Sequence, residues 1–187
     1  DTMKEYNESG LLFRFGDQWE VYQLDKEADY REKICKLVPE TKSIDFIGFN
    51  ETGNILLFME VKSFRGYGNR TNRQRLTGES DDITMEVAQK VRDSLATIIG
   101  GARHSTNLPD KWKKYIEHLN KGKALKVIAW VELDVSTTNL LRRANVNMNT
   151  REKELRKRLK WLTSDVQILN TQNYNKEWEG MEVSQPN

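Results

Sequence analysis

Residues Lys42-Ser-Ile-Asp-Phe-Ile-Gly-Phe-Asn-Glu-Thr-Gly-Asn-Ile-Leu-Leu-Phe-Met-Glu-Val-Lys62 consist of two apolar runs joined by a polar turn. The spacing predicts strands over about 43–50 and 54–63, paired antiparallel around Thr52-Gly53-Asn54. Side chains alternate across a strand, so Phe58, Glu60 and Lys62 share one face while Met59 and Val61 share the other. Both sets are apolar until the end, as expected of a strand buried on both sides, with helices covering the sheet front and back. Pairing brings Asp45 opposite the Glu60–Lys62 end.

Working outward, Leu11–Phe15 and Trp19–Leu24 flank Gly16-Asp17-Gln18 and read as a further β-hairpin. Lys26–Val38 suits a short helix stopped by Pro39. Ile83, Val87, Val91, Leu95 and Ile98 recur at helical spacing, which predicts a helix over 82–99 with an N-cap from Asp81-Asp82 and an end at Gly100-Gly101. Pro109–Asn120 is expected as a second helix and Leu125–Leu133 as a strand. A polar excursion over 136–149 then precedes a helix at 150–163, and Val166–Leu169 forms a last strand. Residues 172–187 have no period and are expected to be loosely held. Hairpins first and helix-separated strands later imply an α/β fold with a mixed sheet flanked by helices, in a single domain over 1–187.

The chain has 187 residues, 37% hydrophobic and 31% charged, with a net charge of +2. Bulk charge therefore does not announce a nucleic-acid partner, and any such signal is local. The single cysteine, Cys35, excludes an internal disulfide and is expected as a buried thiol beside Ile34 and Leu37. No apolar run approaches the roughly 18–20 residues of a membrane span. Asp1-Thr-Met-Lys-Glu-Tyr-Asn lacks a signal-peptide apolar core, so a soluble cytoplasmic protein is expected, with an oligomer left open.

Asp45, Glu60 and Lys62 are the groups needed to hold a hard cation and activate water. Mg²⁺ takes oxygen ligands, typically one or two carboxylates plus waters and substrate phosphate. Asp45 and Glu60 are the candidate ligands, with the Val61 carbonyl between Glu60 and Lys62 as a third. Lys62 would orient or deprotonate the attacking water, or stabilise developing charge. These residues resemble the signature of the PD-(D/E)xK nuclease superfamily: Ile44-Asp45, fourteen intervening residues, then Glu60-Val61-Lys62. Ile44 stands where the signature has proline, a position that varies in that superfamily. The resemblance implies a restriction-endonuclease-like three-layer sandwich and Mg²⁺-dependent cleavage of DNA or RNA, with Mn²⁺ able to substitute. Trp19…Asp25 and Lys90-Val-Arg-Asp-Ser-Leu95 extend it over about residues 10–100, toward bacterial proteins that bring no known substrate.

Lys62, Arg65, Arg70, Arg73 and Arg75 follow one another without an intervening acid, interleaved with Phe64 and Tyr67. Such a loop suits phosphate contacts and base stacking, which makes nucleic acid, DNA foremost, the expected partner; a solvated surface loop is the plainer alternative. The superfamily places a glutamine or lysine of the next helix in the site, which Gln89 or Lys90 would supply. Pairing of Lys90 with Glu86 one turn away is the plainer role. Members of the superfamily often have a further acid in a helix before the aspartate strand; Asp25 is the choice here, with Glu27 or Glu32 on the next helix, and the plainer role of Asp25 is to cap that helix. The basic helix over 151–161 reads as solvated. A catalytically inactive domain of the same fold, serving nucleic-acid binding or protein interaction, is the competing expectation.

Overall fold

The computed structural model describes residues 3–64, 74–75, 82–133, 138–175 and 180–185, with the side chains of 138–146 left aside. The quoted stretch forms β4 (Phe46–Asn50) and β5 (Ile55–Ser63), paired antiparallel with Phe46 opposite Met59 and Asn50 opposite Ile55. The turn is closed by Asn50, whose Oδ1 accepts from the Gly53 N–H at 2.8 Å, and Asn54 takes the left-handed conformation at φ 52°. β3 (Trp19–Gln23) pairs antiparallel on the outer side of β4. β6 (Ala124–Glu132) and β7 (Val166–Leu169) extend the sheet on the other side of β5, both parallel. The result is a five-stranded mixed sheet in the order β3-β4-β5-β6-β7, as the element order implies.

Helices pack on one face of this sheet. α1 (Ile83–His104), α2 (Pro109–Asn120) and α3 (Thr138–Leu159) bury Val87, Val91, Ile98, Trp112, Tyr115, Leu155 and Leu159 against Phe49, Phe58, Val127 and Ile168. The opposite face is covered differently from the expectation. Here β1 (Lys4–Glu8), β2 (Leu11–Phe15) and β8 (Met181–Ser184) form an antiparallel sheet in the order β1-β2-β8. Its Phe13, Phe15, Met181 and Val183 pack against Phe46, Met59, Val61 and Trp130. A strand apolar on both faces reports that both are covered, and does not specify by what.

β2 and β3 consequently do not form a hairpin. Each presents its apolar side to the space between the two sheets, so the chain crosses from one sheet to the other at Gly16-Asp17-Gln18, with Phe15 meeting Trp19 edge-on at 6.0 Å. Of the stretch expected to be loosely held, the described Tyr174 and β8 belong to this second core. Burying Met181 and Val183 contributes roughly 1.5–3 kcal/mol each. Ordering four residues costs about 1–2 kcal/mol apiece, so the ladder to β2 is needed as well.

The short helical segment is present, with π-type bonding over Asp29–Ile34 continuing into Cys35–Leu37. Cys35 is exposed rather than buried, because the segment turns Asp29 and Tyr30 inward instead. α3 begins at Thr138, absorbing the Asn-rich stretch read as an excursion. α1 begins as expected, with the Asp82 carboxylate accepting from the Thr84 N–H at 2.9 Å. It continues through Gly100-Gly101 and stops at Ser105, whose hydroxyl donates to Asp29 at 2.6 Å and accepts from the Leu108 N–H at 3.0 Å. Asp29 also takes the Trp112 indole N–H at 2.7 Å. Among the described residues no helix is long and apolar enough to cross a membrane.

The two glycines serve different ends, which gives a test. A Cβ at Gly101 would lie 2.6 Å from Trp112, whereas one at Gly100 would make an ordinary contact at 3.6 Å with Ile34. Gly101→Ala is expected to lose about 1–3 kcal/mol to overpacking. Gly100→Ala is expected to gain about 0.5–1 kcal/mol from helix propensity. Urea denaturation of the two variants checks the contrast, and equal midpoints would contradict it.

Candidate active site

β4 begins one residue after Asp45, while β5 runs on past its last β4 partner, Met59, paired thereafter with β6 alone. The N–H of Val61 is thus left without a β4 carbonyl. The Asp45 carboxylate takes its place, Oδ2 accepting at 2.7 Å. The approach to Asp45 is tied to α1, with the Ile44 N–H on the Ser94 hydroxyl at 3.1 Å and that hydroxyl donating to the Lys90 carbonyl at 2.7 Å. On the far side the Leu24 N–H donates to the Asp45 carbonyl at 3.2 Å. Asp45 and the residue before it are thus tied to β5, to α1 and to the turn at Leu24.

Glu60 and Lys62 share the helix-facing side of β5, as strand alternation requires. Glu60 is 1% exposed, and its Oε1 receives Lys90 at 2.6 Å and Lys62 at 3.0 Å. Its Oε2 is buried without a hydrogen-bond partner among the described residues. The contrast with Glu132, the other buried glutamate of the sheet, is informative. There Oε1 accepts from the Thr171 hydroxyl at 2.6 Å and Oε2 from the Trp130 indole at 3.1 Å and the Thr171 N–H at 3.2 Å. Buried carboxylates whose task is structural have their oxygens satisfied. Glu60 does not.

Lys62 also meets Glu86 of α1 at 2.8 Å, and the second Glu86 oxygen pairs with Arg75, whose guanidinium lies 5.6 Å from the Phe64 ring centre. Burial opposes the charge on Lys62, but the Glu60 and Glu86 carboxylates outweigh it and hold the ammonium above its ordinary pKa. Asp45 is raised as well, which there disfavours the charged form: burial, reinforced by the neighbouring Glu60 charge, pushes it up to about 7. Lys90, 4.0 Å from Asp45 Oδ1, offsets this only in part.

The structure brings Asp45, Glu60, Lys62, Lys90 and Arg75 together. Lys90 reaches across to Glu60 instead of closing on Glu86. Val61 takes part through its N–H. Gln89 is half-buried on α1, and no hydrogen bond joins it to these groups among the described residues. Asp25 is exposed in the turn Leu24–Lys26 and does not cap the next segment, which has Ala28 at its N-cap and no side-chain cap bond. Arg65, Arg70 and Arg73 lie outside the described residues. On α3, Arg151 and Arg158 contact Asp82 at 3.5 and 3.4 Å, so part of that basic face ties two helices together.

One residue was not visible to sequence reasoning. Glu8, at the end of β1, accepts from Gln23 Nε2 at 3.2 Å, and its pKa is raised by burial and by Asp45, with Asp25 adding to this. The local sequence Lys4-Glu-Tyr-Asn-Glu8 has one apolar residue, and nothing in it signals proximity to Asp45. Among the described residues, no group of three or more His, Cys, Asp or Glu side chains is arranged to hold a metal ion. No protein-family model, curated protein or solved structure matches the chain.

The Asp45 shift has a stability consequence. Folded, Asp45 titrates at about 7 against 3.8 for an ordinary aspartate, so between these values the folded chain holds a proton that the unfolded chain releases. Stability contributed by the neutral acid is present below the lower value and lost as pH rises through the upper one. Asp45→Asn keeps an acceptor for Val61 and removes the charge. It is expected to be near neutral at about pH 4 and stabilising by about 2–4 kcal/mol at about pH 8. Urea unfolding across this range checks it, and an effect independent of pH would show that Asp45 does not titrate there.

Proposed function

We propose that this chain is a divalent-cation-dependent phosphodiesterase acting on nucleic acid, foremost DNA, on a restriction-endonuclease-like fold. The observation that carries the reading is the convergence of Asp45 and Glu60 with Lys62, where a buried Glu60 oxygen lacks a partner among the described residues and Asp45 is pushed up by burial and by its neighbour. Two carboxylates forced together with incomplete compensation suit a hard cation, and two is a number Mg²⁺ typically takes. Asp45 and Glu60 would hold Mg²⁺ or Mn²⁺, which supplies charge for the phosphate and acidifies water.

The chain's own groups do the rest. Lys62, kept cationic by Glu60 and Glu86, stabilises charge building on the phosphoryl oxygens as the bond from water forms and the ester bond breaks. Arg75, with Arg65, Arg70 and Arg73 of the same basic run, contacts backbone phosphates. The fold assignment is supported by an aspartate at the start of one central strand and Glu-x-Lys at the end of its neighbour. One observation favours the competing reading of an inactive binding module: Lys62, Lys90 and Arg75 already compensate much of the acidic charge.

Purified protein is expected to cleave plasmid DNA or RNA with Mg²⁺ or Mn²⁺ and to stop on chelation. Asp45→Asn, Glu60→Gln and Lys62→Ala, each shown folded by circular dichroism, should lower the rate by about 10²–10⁴. Cleavage that survives Asp45→Asn and Lys62→Ala would sink the reading. Salt-sensitive binding without cleavage would favour the inactive module.

A further inference from the structure

Lys90 is delivered to the carboxylate pair by the same contacts that place Asp45. Its carbonyl accepts from Ser94, which in turn receives the Ile44 N–H, so the third turn of α1 is joined to the approach to β4. The side chain is 15% exposed, and its ammonium lies 2.6 Å from Glu60 Oε1 and 4.0 Å from Asp45 Oδ1. Lys62 is anchored differently. It divides its contacts between Glu60 at 3.0 Å and Glu86 at 2.8 Å, and so keeps an acidic partner outside the pair. Lys90 has the two carboxylates that a divalent cation would require.

Local charge points the same way. Asp45, Glu60 and Glu86 pair directly with Lys62, Lys90 and Arg75, with Glu8 near Asp45 as a further acid among the described residues. A divalent cation added to this set leaves an excess of positive charge at a site with little water. The group whose contacts coincide with the newcomer's is the one repelled.

We infer that Lys90 is an internal cation competing with divalent metal for Asp45 and Glu60, so that metal binding releases its ammonium toward the substrate phosphate. The inference rests on the proposed metal-dependent reading of the site. Before metal binds, the charge of Lys90 is used within the protein. Afterwards it is available on a flexible four-carbon stem next to Lys62. Metal and polyanion thereby strengthen each other's binding, each acting through the position of one side chain.

Mn²⁺ binding, followed by calorimetry on the full chain, tests this directly. Lys90→Met should tighten Mn²⁺ roughly ten- to a hundredfold, while Lys90→Arg, which keeps the charge, should stay close to wild type. In the wild-type protein, acylation of Lys90 read by mass spectrometry should accelerate when Mn²⁺ is added, a measurement that needs no folded variant. Unchanged Mn²⁺ affinity in Lys90→Met, or Mn²⁺-insensitive acylation, would overturn the competition. If Asp45→Asn still abolishes Mn²⁺ binding in that case, the metal-dependent reading stands without it. Absence of any Mn²⁺ binding that depends on Asp45, in wild type and Lys90→Met alike, would remove both.

Discussion

The hydrogen bond from the Val61 N–H to the Asp45 carboxylate closes the sheet at the point where β4 begins and β5 continues. Without an acceptor there, a backbone donor would be left unpaired between two packed layers, which is costly. Supplying that acceptor from a side chain brings a carboxylate beside Glu60. The rest of the site answers this like-charge contact: Lys90 and Lys62 converge on Glu60, Glu86 holds Lys62, and Arg75 joins Glu86. A backbone requirement and an electrostatic one are met by the same atom group.

The layers around β5 make these charges strong. One face is sealed by three helices and the other by a small antiparallel sheet, so Glu60 sits almost out of water. In such surroundings an uncompensated carboxylate either binds a proton or binds a cation. Asp45 is shifted toward the first course, and one Glu60 oxygen has no partner among the described residues. Glu132, on the same sheet with its oxygens satisfied, shows that this fold can also bury an acid quietly.

Where local pattern and tertiary structure disagreed, the reasons are physical. Gly100-Gly101 has the composition of a helix end, but Gly101 lets α1 approach Trp112 closely, and the termination is done by Ser105 and Asp29, which lies 76 residues away. β2 and β3 have the alternation of a hairpin, yet they share an interface, not a ladder. Their apolar faces would look the same in either case. The last strand, Met181–Ser184, is too short to announce itself and exists because β2 has a free edge beside it.

The amino-acid sequence by itself determined the β4–β5 pair, its burial on both faces, and the common face of Glu60 and Lys62. These follow from apolar periodicity, turn chemistry and strand alternation, all of which act over a few residues. Only the tertiary structure decided that a second sheet covers one face, that Glu8 stands near Asp45, and that Lys90 reaches Glu60 instead of Glu86. Those outcomes depend on which distant surfaces meet and on how charge is balanced in a space without water. Neither is encoded in any single window of the chain.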